Sequence, residues 1–596
     1  MAAAGSDLLD DLPDDLLRHV LRFAPSKDAA STAVLSRRWR SLWPSPWGAG
    51  GAAVILDSRS YDRAYDGDYF GKRNAFFRGA EAALAAHGAS GVRSLAVHVE
   101  ARDPESFMFN TGGWSGWPDL AADVLSHPAC RRVEELRIAA DTADYPIAGY
   151  EYEWLQPHRR YGHYKLDVGA VPSEALRVLH IAGCRDLTPP PPGATFRCLE
   201  ALRLRRCAVS LDSLQDMIIA SPQLATLHLE YVFFTTMVDD HRNQKRYYEY
   251  NDEVDEGSST DSIDGLFFPK VTLTPADGLC FPEVTTLVLV NCCHKEDIDI
   301  ALDVPRVRHF RYRGNIHRFL LNCPLPDVQL ADLHFVDTDS DQDEFWNYVK
   351  KFRNSKILRL KMNFPLEDIA VTDKKGLEEL LGGTLFGNLD RLEIDGQGKP
   401  ASKDTAVAIG NLLYSCPVVR DLRLKLNIVD KPYRRRRSRW SGPTSQCKRD
   451  FLHKKAQADF YKSVDHFTRS RNPVIHFGGC GNKYDVPDLP GLSENQFSCL
   501  QCYLRRVSLQ FLMEKPNGLC AQLAKFFVDN ATALQEFYID DGNQKVCEHM
   551  NRKVDGWASS SLKPCSESRG TPREFCNNKS NSPSSARSVT VLPLDR

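Results

Sequence analysis

Apolar and polar residues alternate in one phrase that recurs along this chain, Leu-x-x-Leu-x-Leu-x-x-Asn/Cys. Clear copies are LEALRLRRC at 199–207, LATLHLEYV at 224–232 and VTTLVLVNC at 284–292, and further copies end at Asn315, Asn363 and Asn427. Alternation over about four to eight residues is typical of a strand with one covered face. Each copy therefore predicts a short strand whose apolar residues all point to the same side.

The copies recur at a regular spacing. Their middle apolar residues serve as markers and are Leu179, Leu202, Leu227, Leu287, Phe310, Leu333, Leu358, Leu392 and Leu422, with weaker copies at Leu95, Leu136, Val507 and Phe537. Steps of 23, 25 and 30 residues lie close to the period of a leucine-rich repeat. Since no copy can cover its own apolar side, neighbouring copies must stack. The sequence therefore predicts an α/β fold, in which an N-terminal three-helix segment precedes a leucine-rich-repeat solenoid with a parallel sheet on its concave side and short helices and loops on its convex side.

The segments between strands support this fold. LDSLQDMIIASP at 211–222 and AVAIGNLLYSCP at 406–417 are apolar at helical spacing and end in Pro, which predicts short helices on the convex side. The ninth position of the phrase predicts a small buried site, where an Asn bonds the backbone of successive turns or a Cys fills the same space. The residues at this position are Cys184, Cys207, Cys292, Asn315, Asn363 and Asn427.

Two steps between markers are too long for one repeat. The first contains the acidic, Ser-rich stretch YEYNDEVDEGSSTDSIDG at 248–265, and the second contains the basic stretch KPYRRRRSRW at 431–440. Such stretches bury too little apolar surface to order themselves. We therefore expect exposed and partly disordered insertions near 238–268 and 431–496.

Charged residues dominate the strand positions that face the open, concave side. Side chains alternate along a strand, so the residue between the two central apolar positions and the residue after them share this side. Basic residues there are Arg203, Arg205, Arg311, Arg313, Arg359, Lys361, Arg423 and Lys425. The other positions are His228, Glu230, Val288, Val290, His334, Val336, Glu393 and Asp395. Neighbouring charges of the same sign repel one another unless an anion binds between them, so this array predicts capture of an acidic or phosphorylated segment of a target. The alternative is that these are ordinary charged side chains in contact with solvent.

The N-terminal stretch DLPDDLLRHVLRFAPSKDAASTAVLSRRWRSLWP at 11–44 predicts three short helices. Pro13 suits the first turn of a helix, Ser26 can cap a second helix, and Ser36 can cap a third that ends before Pro44. Apolar residues in this stretch exceed what one core-facing stripe needs. A segment of this size has too little interior to bury them all, so the surplus should contact a partner.

LPDDLLRHVLRF followed by LSRRWRSLW resembles the F-box, in its plant-type version, over 8–47. The resemblance implies docking onto the Skp-type adaptor of a cullin-RING ubiquitin ligase. The chain departs from many relatives at 6–9, where Ser-Asp-Leu-Leu replaces an Asp-Arg-Ile triplet. Residues expected to bind the adaptor are Leu12, Pro13, Leu16, Leu17, Val20, Leu21, Phe23, Leu35, Trp39, Leu42 and Trp43.

The rest of the chain divides by composition. A connecting segment is expected at 48–90 and the leucine-rich repeats at 91–496. The pattern at 497–551 predicts a strand, a helix and a second strand, and it resembles the FBD-type end domain of many plant F-box proteins. This region is expected to cap the solenoid. The tail at 558–596 is rich in Ser, Pro, Asn and Arg, and we expect it to be disordered.

Composition narrows the class of protein. The 596 residues are 42% apolar and 26% charged with a formal net charge of -2, which argues against general polyanion binding. The start is acidic and no apolar run is long enough to span a bilayer, so the expected location is the nucleus and/or cytoplasm. In that reducing compartment the 17 cysteines are expected to be thiols and not a disulfide framework.

The chain shows no motif of a catalytic, cofactor or metal site. Cys499 and Cys502 form a CxxC without a second pair, which favours structural burial. His163 and nearby aromatic residues are expected to pack on the solenoid, with a binding loop as the alternative, and the basic run Arg434 to Arg437 leaves open a nuclear import signal, a solvated loop or a nucleic-acid contact.

Two hypotheses of function follow. In the first, the chain is the non-catalytic substrate receptor of a Skp-cullin-F-box ubiquitin ligase, without a cofactor, that holds a target protein where ubiquitin can reach it. In the second, it is a repeat scaffold or inhibitor whose N-terminal helices cap the array. Capping helices would have a polar exterior, whereas a docking segment needs a second apolar surface.

Overall fold

The computed structural model describes residues 12–42, 52–87, 91–113, 115–142, 162–191, 193–235, 278–294, 299–316, 318–321, 324–336, 342–383, 385–398, 402–428, 488–492, 495–513 and 518–540. The chain divides into two units: an N-terminal unit at 1–307 and 318–322, and a C-terminal unit at 308–317 and 323–596. Outside the described residues lie the central parts of both expected insertions, the basic run Arg434 to Arg437 and the tail at 558–596.

The N-terminal unit begins with three short helices, α1 Asp14–Leu21, α2 Ser26–Ser31 and α3 Arg37–Leu42. Pro13 immediately precedes α1, and its carbonyl accepts hydrogen bonds from the amides of Leu16 and Leu17. The hydroxyl of Ser36 accepts a bond of 3.3 Å from the amide of Trp39, as expected of a cap. The three predicted helices are therefore present.

Ser26 does not cap α2 but joins it to the sheet. Its hydroxyl accepts a 3.0 Å hydrogen bond from the amide of Ile55, in the first strand of the unit. Asp28 accepts a 2.8 Å bond from Ser60, and the Lys27 ammonium lies 3.8 Å from the centre of the Tyr61 ring. These contacts tie the helical segment to the start of the sheet.

The described sheet of the N-terminal unit has seven parallel strands in chain order. They are β1 Ala52–Asp57, β2 Val92–Ala101, β3 Glu135–Thr142, β4 Val178–Ala182, β5 Ala201–Arg205, β6 Thr226–Glu230 and β7 Thr286–Val290. The marker residues from Leu95 to Leu287 pair in one continuous register and are fully buried. The strand β1 lies in the segment expected to connect domains, and it begins this sheet.

Short strands and helices complete this unit. The helices are α4 Tyr69–Ala85, α5 Pro104–Met108 and α6 Leu211–Ile219. The short strands form three small sheets: Tyr164–Asp167 with Cys184–Thr188; Ala208–Ser210, Phe233–Thr235 and Cys293–His294; and Gly278–Cys280, Ile300–Asp303 and Phe319–Leu321. The predicted helix after β5 is confirmed as α6, which Ser210 caps through a 3.0 Å bond to the amide of Ser213.

Each strand from β4 to β7 is followed directly by a residue in the left-handed backbone region. These residues are Gly183, Arg206, Tyr231 and Asn291, with φ between 51° and 74°. A small buried residue follows each of them, and in three cases it is the predicted Cys, namely Cys184, Cys207 and Cys292. The Cys207 thiol donates to the carbonyl of Ile181 at 3.5 Å, one repeat earlier. The prediction of a small buried site is confirmed for these cysteines.

The described sheet of the C-terminal unit also has seven parallel strands. They are β8 His309–Gly314, β9 Leu330–Phe335, β10 Ile357–Pro365, β11 Arg391–Gly398, β12 Asp421–Ile428, β13 Arg506–Met513 and β14 Glu536–Asp540. The weak markers Val507 and Phe537 pair in register with Leu422.

One marker of this unit is wrong by two residues. Ala331, and not Leu333, pairs with both Phe310 and Leu358. The apolar alternation extends over three covered residues of β9, and the larger Leu333 conceals the smaller Ala331 in the sequence. Asp332 consequently takes the open-face position that the sequence assigns to His334.

The ninth position also differs in this unit. The long strands β10 and β12 continue through it, so Asn363 is exposed and Asn427 is only partly buried. Asn315, directly after β8, is partly buried too. The expectation of a buried Asn is therefore wrong for Asn363, since alternation along the strand turns its side chain to solvent.

Helices cover the other face of this sheet. They are α7 Gln342–Val349, α8 Lys374–Leu381, α9 Lys403–Ser415, α10 Ser498–Cys502 and α11 Gly518–Asn530. The predicted convex helix α9 and the strand-helix-strand order of β13, α11 and β14 are confirmed. Leu489 and Leu492, inside the second expected insertion, are buried and not exposed, because this stretch packs against α9.

Candidate functional sites

The first candidate site is an apolar surface on the helical segment. Leu16, Val20 and Phe23 are 51%, 53% and 72% exposed, and their i, i+4, i+7 spacing places them on one stripe of α1 and the turn after it. Val34 and Leu35, in the turn before α3, are 80% and 67% exposed. Large apolar side chains at this exposure leave a surface suited to docking.

The opposite side of α1 forms the core of the segment. Leu17, Leu21, Trp39 and Leu42 are buried together with Ala29, and Leu12 and Ala24 pack against them. Arg38 fastens α3 to α1 by an ion pair of 2.8 Å to Asp14 and a hydrogen bond to the carbonyl of Leu12. The two apolar contacts expected of α1 are therefore an internal core and an open stripe.

The predicted adaptor-binding residues fall into these two groups. Leu16, Val20, Phe23 and Leu35 are free to touch a partner, whereas Leu17, Leu21, Trp39 and Leu42 are placed to hold the shape of the segment. Leu12 and Pro13 stand at the entry to α1, and Trp43 lies outside the described residues. Adaptor binding by these residues stays a prediction.

The second candidate site is the open face of the C-terminal sheet, where charges alternate in sign. Strand pairing places Arg311, Asp332, Arg359, Glu393 and Arg423 side by side in one row. The guanidinium of Arg359 lies 2.9 Å from Glu393, and that of Arg311 lies 3.5 Å from Asp332. Acidic residues of the same sheet thus form ion pairs with these cations.

The next row of this face follows a similar order. It holds Arg313, His334, Lys361, Asp395 and Lys425. Asp395 lies 3.8 Å from the Lys361 ammonium and 3.2 Å from that of Lys425. In the part of the chain that the structure describes, Arg313 has no acidic partner.

Asp421 anchors the charges at the start of the strands. This buried carboxylate lies 2.8 Å from Arg391, 3.2 Å from Arg423 and 3.7 Å from Arg506. Its side chain is 4% exposed, so its removal would leave three guanidinium groups without their shared counter-charge. This node has no signature in the sequence, because Asp421 occupies one of the positions that the phrase leaves variable.

The open face of the N-terminal sheet is built differently. Arg137, His180, Arg203 and His228 are neighbours in one row. Burial, and then the positive charges of Arg137, Arg203 and Arg205, lower the pKa of His180 to about 4. Positive charge is thus concentrated around this imidazole.

A partly buried charge cluster that the sequence did not indicate lies at the other edge of this face. The His98 ring lies 3.4 Å from Asp141 and 3.5 Å from Asp57. Hydrogen bonds with Asp141 and Asp57 raise the pKa of His98 to about 9. Burial alone would raise the pKa of Asp57, but its hydrogen bonds with His98 and Arg59 hold it well below its usual range.

The remaining candidates show structural contacts. Cys499 is buried, its thiol donates to the carbonyl of Leu413 at 3.8 Å, and burial raises its pKa to about 12. The predicted burial is thus confirmed for Cys499 and wrong for Cys502, which is exposed. The amide of His163 donates to Gly183 at 2.6 Å, and burial lowers the pKa of its imidazole. Within the described ranges no group of three or more His, Cys, Asp or Glu residues could hold a metal ion. No helix in those ranges is long and apolar enough to cross a membrane.

Comparison with known proteins gives two matches, one in the helical segment and one in the repeats, and both are to F-box protein families. Residues 9–47 match the F-box domain. Residues 153–239 match the family described as FBD-associated F-box protein At5g56370, LRR repeats. The second match includes β4, β5 and β6, the strands whose markers recur every 23 and 25 residues.

Two proteins of Arabidopsis thaliana are similar to parts of this chain. An F-box/FBD/LRR-repeat protein is 27% identical over 183 residues, which are 29% of this chain and 37% of the relative. An F-box/LRR-repeat protein is 52% identical over 44 residues, 7% of this chain and 12% of the relative. The chain thus spans less than two fifths of the length of these relatives. Residues 9–47 are therefore an F-box domain, and residues 153–239 carry leucine-rich repeats of the type found in FBD-associated F-box proteins.

Proposed function

We propose that this protein is the substrate-recognition subunit of a Skp-cullin-F-box type ubiquitin ligase. In this proposal, the exposed stripe of Leu16, Val20 and Phe23, with Val34 and Leu35, docks onto the Skp-type adaptor and through it joins the cullin-RING complex. The observation that carries the proposal is that the F-box keeps a complete core and still exposes these five large apolar residues. Burial of such a cluster at an interface gives most of the binding energy of many complexes.

The open faces of the leucine-rich repeats are proposed to capture the target protein. F-box proteins with these repeats are typically non-catalytic adaptors, so the chain contributes proximity and the ligase partners contribute the chemistry. We place this role in the nucleus and/or cytoplasm, and the free thiols of the described cysteines suit a reducing compartment.

The alternative is a repeat scaffold or inhibitor whose helices only cap the array. A cap needs one apolar face towards the repeats and a polar exterior. The exposed stripe on α1 favours docking, because a cap would gain nothing from Phe23 in solvent.

The test separates the docking stripe from the core. In the full chain, Leu16→Ala with Val20→Ala should weaken binding of the Skp-type adaptor at least tenfold, because both side chains are exposed and belong to the docking surface. The thermal midpoint should change little, since neither residue is buried. Arg22→Gln, an exposed polar change directly after the same helix, is the matched control and should bind as the wild type does.

A second variant tests the core. Trp39→Ala should lower the stability of the F-box by about 3 kcal/mol and weaken adaptor binding through loss of shape. Adaptor binding that the Leu16 and Val20 variant leaves unchanged would contradict the docking proposal and favour the capping scaffold.

A further inference from the structure

An exposed pair of aromatic rings lies among the helices and loops of the N-terminal unit. Phe70, in the first turn of α4, is 57% exposed, and Trp117, in the loop after α5, is 39% exposed. Their ring centroids are 5.5 Å apart at an interplanar angle of 76°, so the rings form one edge-to-face surface. This aromatic pair uses no residue of the F-box or of the open faces, so what it binds goes beyond the proposed function.

Buried contacts fix the position of Trp117. The guanidinium of the buried Arg73 lies 5.1 Å from the centre of the Trp117 ring. It donates a hydrogen bond to the carbonyl of Pro118, the residue next to Trp117. Asp119 closes the loop, because its carboxylate accepts a 2.9 Å bond from the amide of Asn110. A ring that is exposed but already held in one position loses little conformational entropy when it binds a partner.

The same contacts restrict the chemistry of a ligand. Arg73 already lies against the Trp117 ring, so a second cation on that ring would be repelled, whereas an uncharged ring would not. The backbone near both aromatic residues is bare: Gly67 and Gly116 have φ of 73° and 83°, and a Cβ added at either would meet no atom within 4 Å beyond its chain neighbours. An extended chain can therefore approach Phe70 and Trp117 without meeting side chains at these positions.

Carboxylates outnumber available cations around the aromatic pair. The acidic residues that lie near it, either in the chain or through their interaction with the charge of Arg73, are Asp66, Asp68, Asp119 and Asp123. Arg73 itself is buried, and the Lys72 ammonium lies 2.5 Å from Asp62. Arg102 and Asp103, which follow β2, offset each other in charge. The excess of negative charge favours a partner segment with positive charge.

We propose that this aromatic pair docks a basic, proline-rich segment of a partner protein. Proline rings are uncharged and pack on aromatic side chains, and a proline-rich chain is already extended in the polyproline II conformation, so it loses little entropy on docking. Arg or Lys residues beside the prolines form ion pairs with the surrounding carboxylates. Among these, Asp66 is exposed and has no ion pair with any residue that the structure describes. The rings thus supply the contact area, and the carboxylates supply the preference for positive charge.

The experiment uses the full chain, immobilised, and passes three degenerate peptide libraries over it. The first library has a fixed Arg and two fixed prolines in the order Arg-x-x-Pro-x-x-Pro. The second has Glu in place of the Arg, and the third has Ala in place of both prolines. The wild type should retain the first library at least tenfold better than either of the others, because docking needs both the positive charge and the proline rings.

Two variants test the two parts of the surface. Phe70→Ala removes the more exposed ring and should lower retention of the first library at least tenfold. Asp66→Asn removes one of several exposed carboxylates and should lower this retention about threefold. Since Asp66 has no ion pair among the described residues, its variant should keep the thermal midpoint of the wild type, and it tests the proposal even where loss of the Phe70 ring loosens α4.

Matched controls come from α6 of the same unit. Ile219 is 70% exposed, so Ile219→Ala removes an exposed apolar side chain elsewhere on the surface. Asp216 is exposed as well, so Asp216→Asn removes one negative charge there. Both variants should retain the first library as the wild type does.

Four results would overturn the inference. They are equal retention of the Arg and Glu libraries, equal retention of the Pro and Ala libraries, undiminished retention by both Phe70→Ala and Asp66→Asn, and a wild-type dimer that Phe70→Ala converts to a monomer in analytical ultracentrifugation. The last result would show that a second copy of the chain, and not a proline-rich segment, covers the aromatic pair.

Discussion

The two sheets present the same types of residue on their open faces but give them different neighbours. In the C-terminal sheet, Arg311, Arg359 and Arg423 alternate with Asp332 and Glu393 across the strands. In the N-terminal sheet, Arg137 and Arg203 have His180 between them and no acidic residue. Strand register, and not the number of basic residues, thus decides whether a surface charge is available to a ligand.

The sheets also differ in how their strands end. From β4 to β7 the strands are five residues long, and a left-handed residue leads into a buried small side chain. From β10 to β13 the strands are eight or nine residues long and continue past that point. The same sequence phrase therefore ends in a turn in one unit and in a strand in the other.

The largest expected effect comes from breaking the charge node of the C-terminal sheet. Asp421→Asn should lower the free energy of unfolding by about 2 kcal/mol, because it leaves Arg391, Arg423 and Arg506 facing one another around a buried position. The cost stays below that of a fully buried pair since these arginines are partly exposed. Urea unfolding at low salt measures it.

The matched control is Glu230→Gln in the N-terminal sheet. Glu230 contacts Arg205 and His228 only at 3.9 Å, so the change should cost less than about 0.5 kcal/mol. Equal costs for the two variants would show that the C-terminal charges are not a coupled network.

An intermediate effect depends on pH and concerns the His98 cluster. The pKa of His98 is raised to about 9 from an ordinary 6.5, so its stabilisation is complete below pH 6.5 and is lost as the pH rises through 9. The difference in stability between the wild type and His98→Gln should be about 1.5 kcal/mol at pH 6, because solvent screens this partly exposed cluster, and it should shrink by pH 9.5. Denaturant unfolding across this range measures it.

His309→Gln provides the control, since this exposed histidine has no carboxylate partner among the described residues. Its difference from the wild type should stay constant over the same range. A constant difference for His98→Gln as well would contradict the charged cluster.

The smallest effect compares two asparagines at adjacent places in the phrase, Asn291 at its eighth position and Asn363 at its ninth. Asn291 has a φ of 51° at the exit of β7, and Asn363 lies in extended backbone in β10. Asn291→Val should cost about 1 kcal/mol because a β-branched residue rarely adopts the left-handed region, whereas Asn363→Val should stay within about 0.5 kcal/mol. Thermal midpoints of the two variants measure this difference in stability. Asn291→Gly should have the thermal midpoint of the wild type.

Much of the fold follows from the sequence because apolar alternation is a local signal. Leu202 and Leu227 are buried partners across β5 and β6, as their spacing predicts, and even the weak markers Leu136 and Val507 lie in register. The shift at β9 was not predictable in this way. Ala331 contributes little apolar weight, and only the pairing of whole strands shows that it occupies the marker position.

The sequence likewise predicted the existence of the F-box site but not which of its residues are exposed. The helical pattern of α1 shows two apolar faces, but it does not show which face the other helices cover. Trp39, the largest expected anchor, is part of the internal core, and Val34 becomes prominent only in the structure. The row of Arg137, His180 and Arg203 depends on pairing across three strands, so it has no signature in any one segment.

The bonds from α2 to β1 and to Ser60 bear on how the protein could present a target. Ser26, Lys27 and Asp28 together fix the F-box to the N-terminal sheet through both backbone and side-chain contacts. A target held on that sheet would keep a constant distance and orientation to whatever the F-box docks on. Under the proposed function, only those lysines of the target that fall within one limited zone would then receive ubiquitin, and selectivity among lysines would follow from the rigidity of this joint.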